Sequence, residues 1–149
     1  MHDFLKDFWK WANKSPEEYG KSGMNQNKGE FEDDFPLFEN LITYAKTIVD
    51  NNEIEPNLID DLLNIMALDN ESENILDYIE DKSSDEQLKV IVKLGLLHLQ
   101  YNARWQLAEL LYRRRPENWK IHLNELSNDE HPYVRKRALN CIELLNNDG

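Results

Sequence analysis

Three observations predict an all-α fold. Apolar residues recur at helical spacing along nearly the whole chain, first-turn prolines or capping boxes open several of those segments, and no convincing hairpin signal joins any two of them. From the N-terminus, Phe4, Leu5, Phe8 and Trp9 share one face and predict a short helix over 3–13. Ser15, Pro16 and Glu18 form a capping box with proline at the first helical position, enough to start at most a turn. The stretch GKSGMNQNKGEFEDD, residues 20–34, holds three of the five glycines and no periodic apolar residue, so it reads as a mobile loop. A longer helix runs from Pro36 to about Asn51, with Leu37, Leu41, Tyr44, Ala45 and Ile48 on its buried face.

Pro56 opens the next helix, which carries Leu58, Ile59, Leu62, Leu63, Ile65 and Met66 to about Leu68. Asn70 with Glu73 three residues later caps another, burying Ile75, Leu76 and Ile79. The segment SSDEQLKVIVKLGLLHLQ alternates as a strand would, but Ser84 and Gln87 form a capping box and Leu88, Ile91, Val92, Gly95 and Leu99 keep helical spacing. It is read as a helix that is apolar on nearly every side, and therefore central. Glycine costs about 1 kcal/mol against alanine inside a helix, so Gly95 is expected to let a neighbouring helix approach closely. Three more helices, over about 103–114, 117–127 and 132–146, bring the expected number to about eight.

At 149 residues the chain suits one domain, 1–149. Within it, 1–35 form an N-terminal capping helix and loop, 36–82 degenerate helical repeats, and 84–146 a more regular set. Phe8, Trp9 and Trp11 are expected to cover the open end of the stack, and Trp119 to join the core. Net charge is −12 and unevenly placed. Residues 1–90 hold 22 carboxylates against 8 lysines, whereas 91–149 hold 7 carboxylates against 9 cations, including all six arginines. Such an acidic half repels phosphate backbones and anionic membranes and steers basic partners inward, so the expected partner is a basic protein rather than nucleic acid or membrane. The longest apolar run is broken by Lys93, Gly95 and His98, far short of the roughly 20 residues of a membrane span. The start of the chain lacks the basic opening and small-residue cleavage site of a secretion signal, and Cys141 is the single cysteine; both readings favour a cytoplasmic protein.

A repeat lies within the C-terminal part. ARWQLAELL from Ala103 aligns on VRKRALNCI from Val134 at an offset of 31 residues. Ala103 falls on Val134, Arg104 on Arg135, Leu107 on Ala138, Ala108 on Leu139 and Leu111 on Ile142. One step back, the frame reaches Ser72, Glu73, Leu76, Asp77 and Glu80, where one apolar match survives. The fragment DEHPYVRKRALNCIELL resembles HEAT repeats, especially the short bacterial kind of HEAT-like lyase families. Those repeats open the second helix with an acidic loop residue followed by Val-Arg-x-x-Ala-Leu; here the positions are Asp129 or Glu130, Val134, Arg135, Ala138 and Leu139. The resemblance covers 84–146 and implies a small αα-solenoid of stacked helix pairs, each completing its core against the next. It also implies that the arginine bonds the acidic loop residue. The 103 copy has no Asp or Glu in its preceding loop, where His98 to Asn102 stand, so the resemblance supplies no carboxylate for Arg104.

Candidate chemistry is sparse. The four histidines, at 2, 98, 122 and 131, lack metal-ligand spacing, and no phosphate loop, nucleophile elbow or paired-carboxylate motif is present, so neither enzyme activity nor a metal or cofactor is expected. Asp33/Asp34 and Asp60/Asp61 read as solvated faces. Arg113, Arg114 and Arg115 close a helix, where cations complement the negative end of its dipole. If the 31-residue frame holds, Glu73, Arg104 and Arg135 form a ladder, either structural or part of a partner-binding strip with Asp77, Trp105, Gln106 and Glu109; arginines and aromatics dominate binding hot spots. By size, acidity and its HEAT-like half the chain resembles the immunity proteins that bacteria encode beside toxins, which implies tight binding of a basic toxin domain such as a nuclease. A general scaffold or adaptor is the alternative, and a HEAT-like enzyme acting on DNA, such as a glycosylase, a third.

Overall fold

The computed structural model describes residues 3–23 and 31–147. Among them are nine α-helices and no strand. The first, α1, Phe4–Ala12, is capped by Asp3, whose side chain accepts from the Lys6 amide at 3.0 Å, and it stops at Asn13 in the left-handed conformation. The box at Ser15 and Glu18 starts α2, Pro16–Ser22, which continues for two turns where the sequence predicts at most one. The extra turn exists because Tyr19 is fully buried and its hydroxyl donates to Glu32 at 2.6 Å, so tertiary contacts stabilise a helix too short to persist alone.

Glu32–Asp34 form a single 3₁₀ turn, so the tail of the predicted loop is ordered; its predicted mobility over 24–30 lies outside the described residues. Phe35 and Phe38 are both buried, and a turn bond from the Phe38 amide to the Phe35 carbonyl delays α3 to Phe38–Asp50, two residues past Pro36. α4, Pro56–Leu68, follows the prediction and buries everything from Ile65 to Leu68. α5, Asn74–Lys82, does not start at the Asn70/Glu73 pair. Asn70 instead donates to Glu32 at 2.7 Å and to the Ala67 carbonyl at 2.9 Å, Glu73 takes a left-handed φ of 54°, and Asp69 accepts from the Ile75 amide at 2.8 Å.

α6, Asp85–Gly95, keeps its Ser84 cap, but the Gln87 side chain leaves the predicted box to donate to the carbonyls of Ile48 and Glu53. It buries one face only and ends at Gly95; Leu97 is 91% exposed and Leu99 is exposed as well. The central helix is therefore not this one but α7, Tyr101–Arg114, which touches α2, α4, α5, α6, α8 and α9 and buries residues on every side. Gly95 does permit close approach: a Cβ there would stand 3.0 Å from a Leu107 methyl of α7. α8, Trp119–Leu126, and α9, Pro132–Asn147, complete the chain, with α9 lying along α7. At the other end, Phe8 packs edge-on against Phe35 at 5.4 Å, and Trp9 lies at a tilt against Tyr19 at 5.6 Å. No helix among the described residues is long and apolar enough to cross a membrane.

The 31-residue offset has a bonding counterpart in the loops that open α7 and α9. Arg104 sends Nη1 to the carbonyls six and five residues earlier, His98 at 2.6 Å and Leu99 at 3.3 Å; Arg135 does the same to Asp129 at 2.8 Å and Glu130 at 3.1 Å. His98 Nδ1 accepts from the Gln100 amide at 3.1 Å, just as Asp129 accepts from the His131 amide at 2.9 Å. An imidazole nitrogen thus does in one loop what a carboxylate oxygen does in the other. That role fixes the His98 proton on Nε2, which faces Asp60 at 2.9 Å.

Candidate functional site

The predicted polar strip is not a surface. Arg104 is buried and forms a bidentate pair with Asp129, at 2.9 and 3.2 Å, as well as its carbonyl bonds. Trp105 is 3% exposed: its indole donates to Asn102 at 2.8 Å, Arg137 covers its face at 4.2 Å and Tyr133 meets it edge-on at 5.5 Å. Gln106 is fully buried and donates to the Met66 and Asn102 carbonyls. These three positions fail as a strip because consecutive residues on a helix turn by about 100° and α7 has neighbours all round. No Glu73–Arg104–Arg135 ladder forms either. Arg135 bonds its own loop, Glu73 sits in the bend before α5, and Arg104 takes its carboxylate from the loop of the following repeat.

The remaining strip residues are held in ion pairs. Glu109 accepts from Arg137 at 2.6 and 3.0 Å, and Asp77 accepts from Arg113 at 3.1 Å while staying exposed. The triple arginine that ends α7 is architecture. Arg114 Nη1 reaches the carbonyls of Ile79, Glu80 and Ser83 and Nη2 reaches Asp85, tying the end of α5 to the start of α6; Arg115 caps α7 and lies over the Trp119 ring at 4.9 Å. A cation at orphan helix-end carbonyls satisfies them and complements the dipole together.

What the structure opens to solvent is a groove where the N-terminal ends of α5, α7 and α9 converge, with a volume of about 440 Å³. One wall is aromatic: Tyr101 stacks on His131 at 3.9 Å and 3° from parallel, and Tyr133 stands beside them. The other wall carries Asn70, Glu71 and Glu73. A second hollow of about 350 Å³ shares Asn70, Glu71, Tyr101 and Asn102 and extends the groove toward Ser22 and Gly23.

Beneath it lies a buried polar network. Tyr19 and Asn70 both donate to Glu32, Asn102 donates to the Tyr19 oxygen at 3.4 Å, and Trp105 donates to Asn102. Burial, then the Glu32 carboxylate, hold the Tyr19 hydroxyl far above its ordinary range, so it stays a donor. Burial and then the Arg104 guanidinium push His131 below the usual imidazole range, and its Nδ1 accepts from the Tyr133 amide at 3.1 Å. His131 is therefore a neutral stacking ring at physiological pH.

Glu71 and Glu73 make no ion pair with a cation among the described residues, and Arg137, the one cation of the groove, is neutralised by Glu109. Among the described residues the groove thus combines flat π faces with carboxylates that pair with no cation. That is the chemistry that receives a guanidinium or ammonium group, and it disfavours a phosphate. Among the described residues, no group of three or more His, Cys, Asp or Glu is placed to hold a metal ion. Cys141 is buried against the Ala108 carbonyl, and burial pushes its thiol up to about 12, which removes it as a nucleophile.

Comparisons of this chain with protein-family models, curated proteins and solved structures find no match.

Of the predicted site residues, the groove keeps Glu73 and, as part of its wall, Trp105. Tyr101, His131, Tyr133 and Glu71 escape the sequence reading because they lie at helix entries, outside the i, i+4, i+5, i+8 pattern that reveals the repeat. The legible signal is the loop register itself: with Arg104 and Arg135 matched, the residues just before each arginine become neighbours across the repeat.

Proposed function

We propose that this chain is a non-enzymatic protein-binding module for a basic protein, and that it serves as an immunity protein neutralising a toxin domain. The observation that carries the reading is the groove, where Glu71 and Glu73 face an aromatic wall. A lysine or arginine of the partner entering there gains both a carboxylate and a π face, the pairing from which binding hot spots are built. Elsewhere on the surface the acidic half adds to the attraction. Asp33, Asp34, Glu39, Glu55 and Asp60 are all exposed, and such a field raises association rates before it raises affinity. The HEAT-like stacked-repeat arrangement belongs to the same proposal: the pairs α6/α7 and α8/α9 share the frame and the loop bonds described above, and a solenoid suits a rigid, pre-formed binding surface.

The test is co-expression with the protein encoded beside this chain's gene. That neighbour should arrest growth alone and be tolerated in company, and the two should co-elute in a salt-sensitive complex. Replacing Glu71 and Glu73 together by lysine should weaken the complex at least tenfold with an unchanged melting temperature. No protection and no complex would sink the reading, and protection that survives the double charge reversal would move the site elsewhere.

A further inference from the structure

A second surface, opposite in charge to the acidic groove, lies between α6 and α8. These outer helices leave a cleft of about 730 Å³ whose floor is apolar, built from Leu88, Val92 and Leu96. Leu97, 91% exposed, stands at its mouth. A leucine that open, continuous with an apolar cleft, is the kind of exposed patch that marks an interaction site rather than a scattered surface residue.

The charge on the lips says what fits. Lys89 and Lys93, four residues apart on α6, are exposed and make no ion pair among the described residues, and Arg115 stacks on Tyr112 and Trp119 without a carboxylate. Of the three carboxylates along the cleft, Asp85 is taken by Arg114, which leaves Glu117 and Glu125 against Lys89, Lys93 and Arg115. In a protein of net charge −12 this is a local reversal of sign. The lining residues on this side run from Asp85 to Leu97, a length of about 18 Å at 1.5 Å per residue, or about three turns of a helix laid alongside.

We infer that the α6/α8 cleft is a docking groove for an amphipathic, acidic helix of a partner protein, about three turns long, with apolar anchors at i, i+3, i+4 and i+7 and carboxylates flanking them. This is the helix-in-groove mode, in which the apolar stripe supplies affinity and the flanking charges set partner and direction. The groove is independent of the acidic one, so its failure leaves the reading of Glu71 and Glu73 untouched.

The test uses phage-displayed 16-residue peptides in a helical frame, selected on the full chain and then synthesised for fluorescence anisotropy at low and physiological salt. The expected winners carry the apolar stripe with flanking Asp or Glu, lose at least tenfold in affinity on Leu97→Asp, and lose their preference for acidic flanks on Lys89→Glu with Lys93→Glu. Leu97 is almost fully exposed, so Leu97→Asp should leave the melting temperature unchanged and keep the comparison clean. Winners with basic flanks, or winners indifferent to Leu97→Asp, would overturn the assignment. Self-association in sedimentation velocity that Leu97→Asp abolishes would overturn it in favour of a second copy of this chain.

Discussion

The two loops that open α7 and α9 make the same backbone bonds 31 residues apart, yet their arginines end in different environments. Arg104 is buried because Asp129, from the next loop, closes over it; Arg135 stays half-exposed on the carbonyls of its own loop. The repeat therefore fixes how each arginine holds its own loop, and the neighbour decides how much that hold contributes to stability. A buried charge pair is costly to break from one side, because the abandoned partner remains desolvated.

Breaking that comparison at its stronger end should have the largest effect. Arg104→Ala is expected to destabilise the fold by about 3–5 kcal/mol in urea unfolding, since it strands Asp129, whose side chain is 10% exposed. A loss under about 1 kcal/mol would show that the loop relaxes and rehydrates the carboxylate.

Next in size is a pH effect at the entry to α5, where Asp69 accepts from the helix-entry amides. Burial raises its pKa from 3.8 to about 6, against the lowering bonds of the Ile75 and Asn74 amides. The folded state then holds the proton more tightly than the unfolded one. This group's stabilising contribution is complete below pH 3.8, and it is lost as pH rises through about 6. Asp69→Asn removes the titration, so its stability relative to the parent chain should rise by about 2–3 kcal/mol between pH 4 and pH 7. A difference flat with pH would mean the carboxylate is hydrated.

His98 sharpens the comparison, because it stands where Asp129 does. His98→Ala should cost about 1–2 kcal/mol by leaving the Gln100 amide unpaired, and His98→Asn should recover much of that by offering an oxygen in place of Nδ1. Equal losses in the two variants would place the cost in the Asp60 contact instead. Smallest of all, Arg135→Ala should cost about 1 kcal/mol or less in the same unfolding assay, because water can replace its bonds to half-exposed carbonyls.

Much of the fold was legible in local sequence. Proline positions place α4 and α9 closely, the Ser84 cap places the start of α6, and Gly95 marks a point of close approach, because these features act within one or two turns. The site was less so. Arg104, Trp105 and Gln106 have the composition of a hot spot, and nothing in a linear pattern distinguishes a polar residue facing solvent from one facing a buried carbonyl.

By itself the sequence determined the helices, the 31-residue frame and the concentration of negative charge in the first 90 residues, since periodicity, capping and charge are carried by near neighbours. Only the tertiary structure decided that α7 rather than α6 is central, that Asp129 reaches back to Arg104 across 25 residues, and that Glu71, Tyr101 and His131 meet in one groove. Those outcomes depend on which helices lie side by side, and that is set by the packing of whole faces rather than by any local pattern.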